Sequence, residues 1–333
     1  MQKQNYTSLD EIFDTFNKLK VLVIGDVMID SYLWGKVERI SPEAPVPILN
    51  VQKRDIRLGG AANVALNIQG LGALPILCSV IGKDADGTNL LKLMEENKLS
   101  SDGIILSEER ITTIKHRILS GSHHLLRVDQ ETDKEITDNE KKKLLEKITL
   151  LLKDIDVVIF EDYDKGVLNE EVIAVVIAKA KALNIPTIVD PKKRNFLHYK
   201  GASLFKPNKK ELKEGLKIDS DLNDIKEVEK SVQQLKEQLK LEAVLITLSE
   251  NGVFIQNEKE KIHLPAHIRK ISDVSGAGDT VVSTAALCLA LGLSAKVLAG
   301  LSNLAGGLVC EQVGVVPIEK SKLLEEAKKE KIL

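Results

Sequence analysis

The stretch at residues 273–292, DVSGAGDTVVSTAALCLALG, sets two glycines around one alanine, adds an aspartate, and runs on into small apolar residues. A helix start offers unpaired N–H groups and the positive end of the helix dipole, so it attracts an anion. Glycines on either side of Ala277 let the main chain approach that anion closely. Asp279 would repel a bound phosphate unless its carboxylate has a task there. Taking a proton from an attacking hydroxyl is such a task, while the amides hold charge building on a transferred phosphoryl group. The same letters also spell a tight turn in which Asp279, Ser275 or Asp273 caps the helix.

Outward from this point, apolar β-branched runs alternate with helical patterns. KVLVIG (20–25), LPILCSVIG (74–82), VVIF (157–160), PTIVD (186–190), ASLFKPN (202–208) and AVLITLS (243–249) read as strands. Residues 61–71, 88–97, 170–183, 277–291 and 295–312 read as helices, and 221–240 as a solvated one with an apolar face. Continuous apolar strands between amphipathic helices predict an α/β fold: a mostly parallel central sheet with helices on both faces. Two extended segments, 31–51 with prolines at 42, 45 and 47, and 112–129, break the rhythm. They read as a small projecting β-sheet lid, and IRKISDV (268–274) as an edge strand. No repeat or linker divides the chain, so 1–333 reads as one domain with its core at about 20–317.

In a parallel sheet, ligands sit beyond the carboxyl ends of the strands. That places Asp26, Asp30, residues 162–165, 190–192 and 208–211, Ser249 and Glu250 in the crevice. No GxxxxGK[ST] loop is present, and RLGGAANVALNIQGLGA (57–73) lacks the GxGxxG order of a dinucleotide fold. The six histidines form no metal constellation; Pro265 interrupts HLPAH.

The 47 basic and 49 acidic residues are spread along the chain and leave a net charge of -2, which excludes a nucleic-acid or membrane-surface partner as the expectation. The N-terminus lacks a signal peptide's apolar core, and no apolar run reaches the ~18 residues of a membrane helix. Cys78, Cys288 and Cys310 sit in apolar stretches without a CxxC pair. Cytoplasmic location is the expectation.

DVSGAGDT (273–280) resembles the second motif of the ribokinase-like (PfkB) carbohydrate kinases, and LGGAANVALNIQGLGA (58–73) resembles their first. KPNKKE (206–211) stands at a fitting intermediate position. The three occur in order over about 20–317, which implies the ribokinase-like three-layer fold. Most relatives have Thr after the first Asp of the second motif; this chain has Val274. That departure, with GDVMIDSYLWGKVERISPEAPVP (25–47), HLLRVDQE (124–131), EDYDKGVL (161–168) and DPKKRNF (190–196), resembles the kinases of D-glycero-β-D-manno-heptose 7-phosphate, which make the 1,7-bisphosphate on the way to ADP-heptose. In many bacteria that kinase is fused to a nucleotidyltransferase with an HxGH motif. No HxGH occurs here, so the kinase half is the expectation.

The resemblance implies roles residue by residue. Asp279 is the base, with Gly276, Ala277 and Gly278 as the anion hole. Asp30, Gly59, Gly60 and Asn63 hold the sugar, joined on the substrate side by Asp162, Lys165 and Arg127. Lys192, Asn208, Glu211, Ser249, Glu250, Gly252 and Asn303 form the nucleotide side. Asn208 and Glu211 position Mg2+ through water, and a monovalent cation is a further implied ligand. ATP, Mg2+ and a sugar phosphate are the small-molecule partners, and a homodimer through paired lid strands is the assembly. Plainer readings stand beside these: Asn208 and Glu211 as a capping box, Asp26 as a loop fastener, lone Lys and Arg as surface charge. A different PfkB activity on fructose 6-phosphate or ribose, and a non-catalytic sugar or nucleotide sensor, are the competing functions.

Overall fold

A computed structural model describes residues 6–121, 123–267 and 269–333. The central sheet has nine strands in the order Lys261–Leu264, Val253–Gln256, Ala243–Thr247, Leu204–Phe205, Thr187–Asp190, Val157–Glu161, Lys20–Gly25, Leu74–Gly82, Ile104–Ser107. From Ala243–Thr247 onward all run parallel, and the first two close the edge as an antiparallel meander.

Side chains alternate across a strand, so each apolar run feeds two cores. Val21, Val23, Ile159, Ile188 and Leu245 pack toward one face, where the helices Ala61–Gly70, Ala277–Ala290 and Ala295–Val309 lie. Leu22, Ile24, Val158, Phe160, Val189 and Phe205 pack toward the other, under Asp138–Leu151, Glu170–Ala182 and Ile225–Leu239. Small residues let the first set of helices approach closely. Thr280 Oγ1 donates to Asn67 Oδ1 at 2.9 Å and Ser283 Oγ to the Val64 carbonyl at 3.3 Å. A Cβ on Gly306 would come within 2.7 Å of Val281.

The second sheet has four strands, Pro47–Gly60, Val27–Ile40, Ile114–Ser120 and His123–Gln130 in that order. The expected 31–51 segment is thus the middle of a hairpin that begins directly after Asp26. Alternation gives this sheet two unlike faces. Asp30, Arg57, Lys115 and Asp129 share one cross-strand row, and Tyr32, Asp55, Arg117 and Arg127 the next on the same face. The opposite face carries Ile56, Leu126 and Val128, which are 46%, 56% and 46% exposed despite being apolar.

Two expectations need correction. ASLFKPN contributes only Leu204–Phe205 to the sheet, because Pro207 removes the next donor. IRKISDV is not an edge strand: among its described residues, Arg269 reaches Glu311 and Glu326, and the Ser272 and Asp273 N–H groups donate to the Cys310 carbonyl. Side-chain and capping bonds hold this segment where a ladder was expected. No helix among the described residues is long and apolar enough to cross a membrane.

Candidate active site

The site lies where the strands Lys20–Gly25, Val157–Glu161 and Thr187–Asp190 end beneath the start of the helix Ala277–Ala290. Gly276 precedes that helix with φ +79°, a left-handed conformation that favours glycine, and it makes no side-chain cap. The Ala277 N–H reaches the Val274 carbonyl at 3.3 Å, and the Thr280 N–H reaches the Gly276 carbonyl at 3.0 Å. Among the described residues, the Gly278 and Asp279 N–H groups have no such partner. Of the expected anion-hole residues, Ala277 has its amide engaged in closing the turn. Capping in this segment falls to Asp273, which accepts from Ser275 N at 3.0 Å and Gly314 N at 2.9 Å.

Asp279 is buried, and both of its oxygens are engaged. Oδ2 accepts from Asn63 Nδ2 at 2.7 Å and Oδ1 from the Tyr163 hydroxyl at 2.9 Å. Burial raises its pKa above the ordinary aspartate value; the Asn63 bond opposes this, Asp190 adds to it, and Tyr163 and Lys192 oppose it. Glu161 and Asp190, paired in register at adjacent strand ends, complete a buried carboxylate group whose ligand atoms lie within 4.8 Å of one another. Asp190 Oδ2 pairs with Lys206 Nζ at 2.9 Å, both side chains buried. Among the described residues, Asp190 Oδ1 and both oxygens of Glu161 have no hydrogen-bond partner. Burial, then Asp190 and Asp279, push Glu161 well above the usual carboxylate range. Burial opposes the charge of Lys206, but Asp190 and Glu211 outweigh it and raise its pKa.

Lys192 links this cluster to the nucleotide-side residues. Its ammonium is 2.7 Å from Glu211 Oε1 and 5.1 Å from the Tyr163 ring centroid. Asn208 and Glu211 form the reciprocal capping box of the helix Lys209–Leu216, Asn208 Oδ1 accepting from Glu211 N and Glu211 Oε2 from Asn208 N, each at 2.8 Å. Asn208 also bridges Thr247, where the strand Ala243–Thr247 ends, and Ser249, Glu250 and Gly252 occupy the turn beyond. Gly252 packs against the Leu264 carbonyl and Pro265, and Asn303 Nδ2 donates to the Pro265 carbonyl at 2.8 Å. These residues make a continuous rim.

The charged face of the second sheet covers the other side. Asp30 pairs with Arg117, and Gly59 lies so close to it that a Cβ would meet Asp30 Oδ2 at 2.3 Å. Gly60, at the start of the helix Ala61–Gly70, sits over the Asp26 carbonyl, and Asn63 hangs from that helix's first turn. The Arg57 guanidinium donates to the Val315 carbonyl at 3.0 Å, while Val315 N donates to the Tyr32 hydroxyl at 3.3 Å, fastening the sheet to the chain beyond the helix Ala295–Val309. Lys115 stands 5.9 Å from the Tyr163 ring centroid and shares Glu131 with Lys165, the two ammonium groups at 4.0 and 2.8 Å. Arg127 pairs with Asp129 at 3.0 Å and is the most exposed of these cations.

Asp162, expected beside the substrate, is engaged within the core. It is fully buried, and its carboxylate accepts from Asn195 Nδ2 at 3.0 Å, Tyr199 Oη at 2.7 Å and Asp164 N at 2.9 Å. Alternation explains this: Glu161 faces the crevice, so its neighbour turns into the opposite core. Tyr163, Glu161, Lys206, Arg117 and Lys115 were not singled out from sequence. Only the EDYDKG cluster after an apolar strand signalled the first two.

The pfkB family carbohydrate kinase model matches residues 18–321. A bifunctional protein HldE of Caulobacter sp. (strain K31) is 41% identical over 309 residues, covering 93% of this chain and 63% of that protein. Another, of Citrifermentans bemidjiense, is 36% identical over 320 residues, covering 96% and 65%. The chain thus spans somewhat less than two thirds of the curated relatives it matches. Phosphofructokinase-2 of Escherichia coli, solved with potassium, superposes with a TM-score of 0.76 at 19% identity over 92% of this chain and 97% of that one. A ribokinase of Arabidopsis thaliana, solved with ribose and ATP, gives 0.71 at 16% over 92% and 99%. These structures share the fold. The family match spans nearly the whole chain, both motif segments and the carboxylate cluster between them, and on that ground the chain belongs to the pfkB family of carbohydrate kinases, phosphotransferases that act on a sugar hydroxyl.

Proposed function

We propose that this kinase uses ATP to phosphorylate the anomeric hydroxyl of D-glycero-β-D-manno-heptose 7-phosphate. The observation that carries the chemistry is Asp279, a buried carboxylate one residue after Gly278 at a helix start with two unengaged N–H groups. Oriented by Asn63, it takes the proton of the attacking hydroxyl, while the Gly278 and Asp279 amides stabilise charge on the phosphoryl group. Its raised pKa makes it a stronger base than an exposed aspartate. Asp30, held by Arg117 beside Gly59, hydrogen-bonds sugar hydroxyls. Lys192 and the rim from Asn208 to Asn303 take the nucleotide.

The partnerless oxygens of Glu161 and Asp190 fit Mg2+, a hard cation that prefers oxygen ligands and keeps several waters. Asn208 and Glu211, engaged in their capping box, would act on it through water. When bound with ATP, the ion neutralises phosphate charge. A monovalent cation is part of the same reading.

The sugar assignment is supported by the segments around Asp30, Arg127, Lys165 and Lys192 and by the HldE relatives. An already anionic acceptor also needs cations outside the nucleotide rim, and Lys115, Lys165 and Arg127 provide them. The second sheet would act as a lid within one domain, and its exposed Ile56, Leu126 and Val128 face suits a homodimer; a monomer in light scattering would oppose that. Buried Cys78 and Cys288 agree with a cytoplasmic setting. ATP turnover measured against heptose 7-phosphate, fructose 6-phosphate and ribose tests the reading. A strong preference for the heptose is expected, and equal rates on fructose 6-phosphate would defeat it.

A further inference from the structure

We propose that Tyr163 keeps water off Asp279, its hydroxyl holding the place on Oδ1 that the sugar hydroxyl takes when the acceptor binds. The inference rests on the reading of Asp279 as the base. Of the two donors on that carboxylate, Asn63 is a buried amide, 1% exposed and fixed to the helix Ala61–Gly70. Tyr163 is the O–H donor, as an alcohol would be, and sits at 2.9 Å, a hydrogen-bond distance an entering hydroxyl would also adopt.

Backbone bonds hold the segment, so any displacement of the hydroxyl falls to the side chain. Asp26 Oδ2 accepts from the N–H groups of Tyr163 at 2.9 Å and Lys165 at 3.0 Å, and its Oδ1 from Val167 at 3.1 Å. The ring lies between Lys192, on the nucleotide side, and Lys115, on the second sheet. Both ammonium groups are ones an anionic ligand attracts, so arrival of ATP and a sugar phosphate draws away two contacts that hold the ring. The guard would thus be released when both ligands are present.

The reaction prevented is hydrolysis. A water oxygen would bond to the γ-phosphorus of ATP, the bond from that phosphorus to the β–γ bridging oxygen would break, and the water's proton would pass to Asp279. The products are ADP and inorganic phosphate. Tyr163→Phe removes one oxygen and opens a space beside Oδ1 that a hydrogen-bonded water can enter.

The test measures phosphate release by the full chain with ATP and Mg2+ and no sugar. Tyr163→Phe should raise it by about tenfold over wild type, a fraction of what a positioned base provides. The rise should vanish in Tyr163→Phe/Asp279→Asn. Losing a donor to the carboxylate should also move the acid limb of kcat/KM, which reports the sugar-free enzyme, to higher pH, which a packing role would not do. Hydrolysis within twofold of wild type in Tyr163→Phe would overturn the proposal, as would a rise that survives in the double variant. Because no sugar is present, the outcome is independent of the sugar's identity. Failure of the base assignment itself would appear separately, as near-wild-type sugar phosphorylation by Asp279→Asn alone.

Discussion

Asp26 and Glu161 stand at the carboxyl ends of neighbouring strands, the Asp26 N–H donating to the Glu161 carbonyl at 3.2 Å, and both are buried. Asp26 accepts three backbone N–H bonds, whereas neither oxygen of Glu161 has a partner among the described residues. A buried carboxylate with both oxygens engaged by backbone donors is a structural fastener, here for the loop carrying Tyr163 and Lys165. One with neither engaged would cost stability without return unless a proton or cation joins it. The same contrast separates Asp162, engaged by three donors, from Asp190, which keeps one oxygen free. Partner count therefore divides four neighbouring acids into two that build the site and two that keep oxygens free for a proton or the proposed cation.

The largest expected effect tests Asp279, the carboxylate beside the two acids with free oxygens. Asp279→Asn keeps the shape and the Asn63 and Tyr163 contacts within reach but removes the base, so turnover should fall by roughly 10²–10⁴-fold while ATP binding persists. Steady-state kinetics and calorimetric titration check this. Near-wild-type turnover would remove Asp279 as the base.

Next comes the building side. Asp26→Ala strands the N–H groups of Tyr163, Lys165 and Val167, and should lower unfolding free energy by about 3–5 kcal/mol. Denaturant unfolding measures it. A loss no larger than that of an average surface substitution would erase the distinction between the two strand ends.

How much of this was legible beforehand differs by region. Leu74–Gly82 and Ala277–Ala290 could be read from their letters, because a continuous apolar run and a glycine-led run of small residues each leave few alternatives. The expectation for Asp279 and the glycine turn came with the second of them, and that for Asn63 with the family resemblance of residues 58–73. The acids did not sort themselves: EDYD places four polar residues in a row, and only the register against Lys20–Gly25 decides that Glu161 faces the crevice and Asp162 the core. Lys206 and Arg117 were hidden for a related reason. Each is one cation among 47 basic residues, and what distinguishes it is a carboxylate far away in sequence, Asp190 for one and Asp30 for the other. The second sheet's faces required knowing that Asp30 pairs with Arg57 and Lys115.

Glu161→Gln sharpens the comparison on the side with free oxygens. A neutral amide between Asp190 and Asp279 removes like-charge repulsion and supplies donors, so the nucleotide-free protein should gain about 2 kcal/mol at pH 8. Added Mg2+ or Mn2+ should raise the melting temperature of the wild type and leave that of the variant unmoved. Equal metal-induced shifts in both proteins would remove Glu161 from the cation site.

The smallest effect concerns Asp162, whose carboxyl is pushed up to about 7, first by burial and then by the charge of Asp26, against the donors Asp164, Tyr199 and Asn195. A folded-state pKa above the unfolded value means the folded chain holds the proton more tightly. Its stabilising contribution is complete below about pH 4 and declines as pH rises toward 7, because the unfolded chain releases its proton first. Between pH 5 and 7 this group should cost about 1 kcal/mol of stability per pH unit. Asp162→Asn has no proton to lose, so its unfolding free energy should be flatter across that window than the wild type's. Parallel slopes for the two proteins would place the titration elsewhere, with Asp26 as the group next to examine, since its own pKa is raised by burial and it faces Asp162 and Arg110.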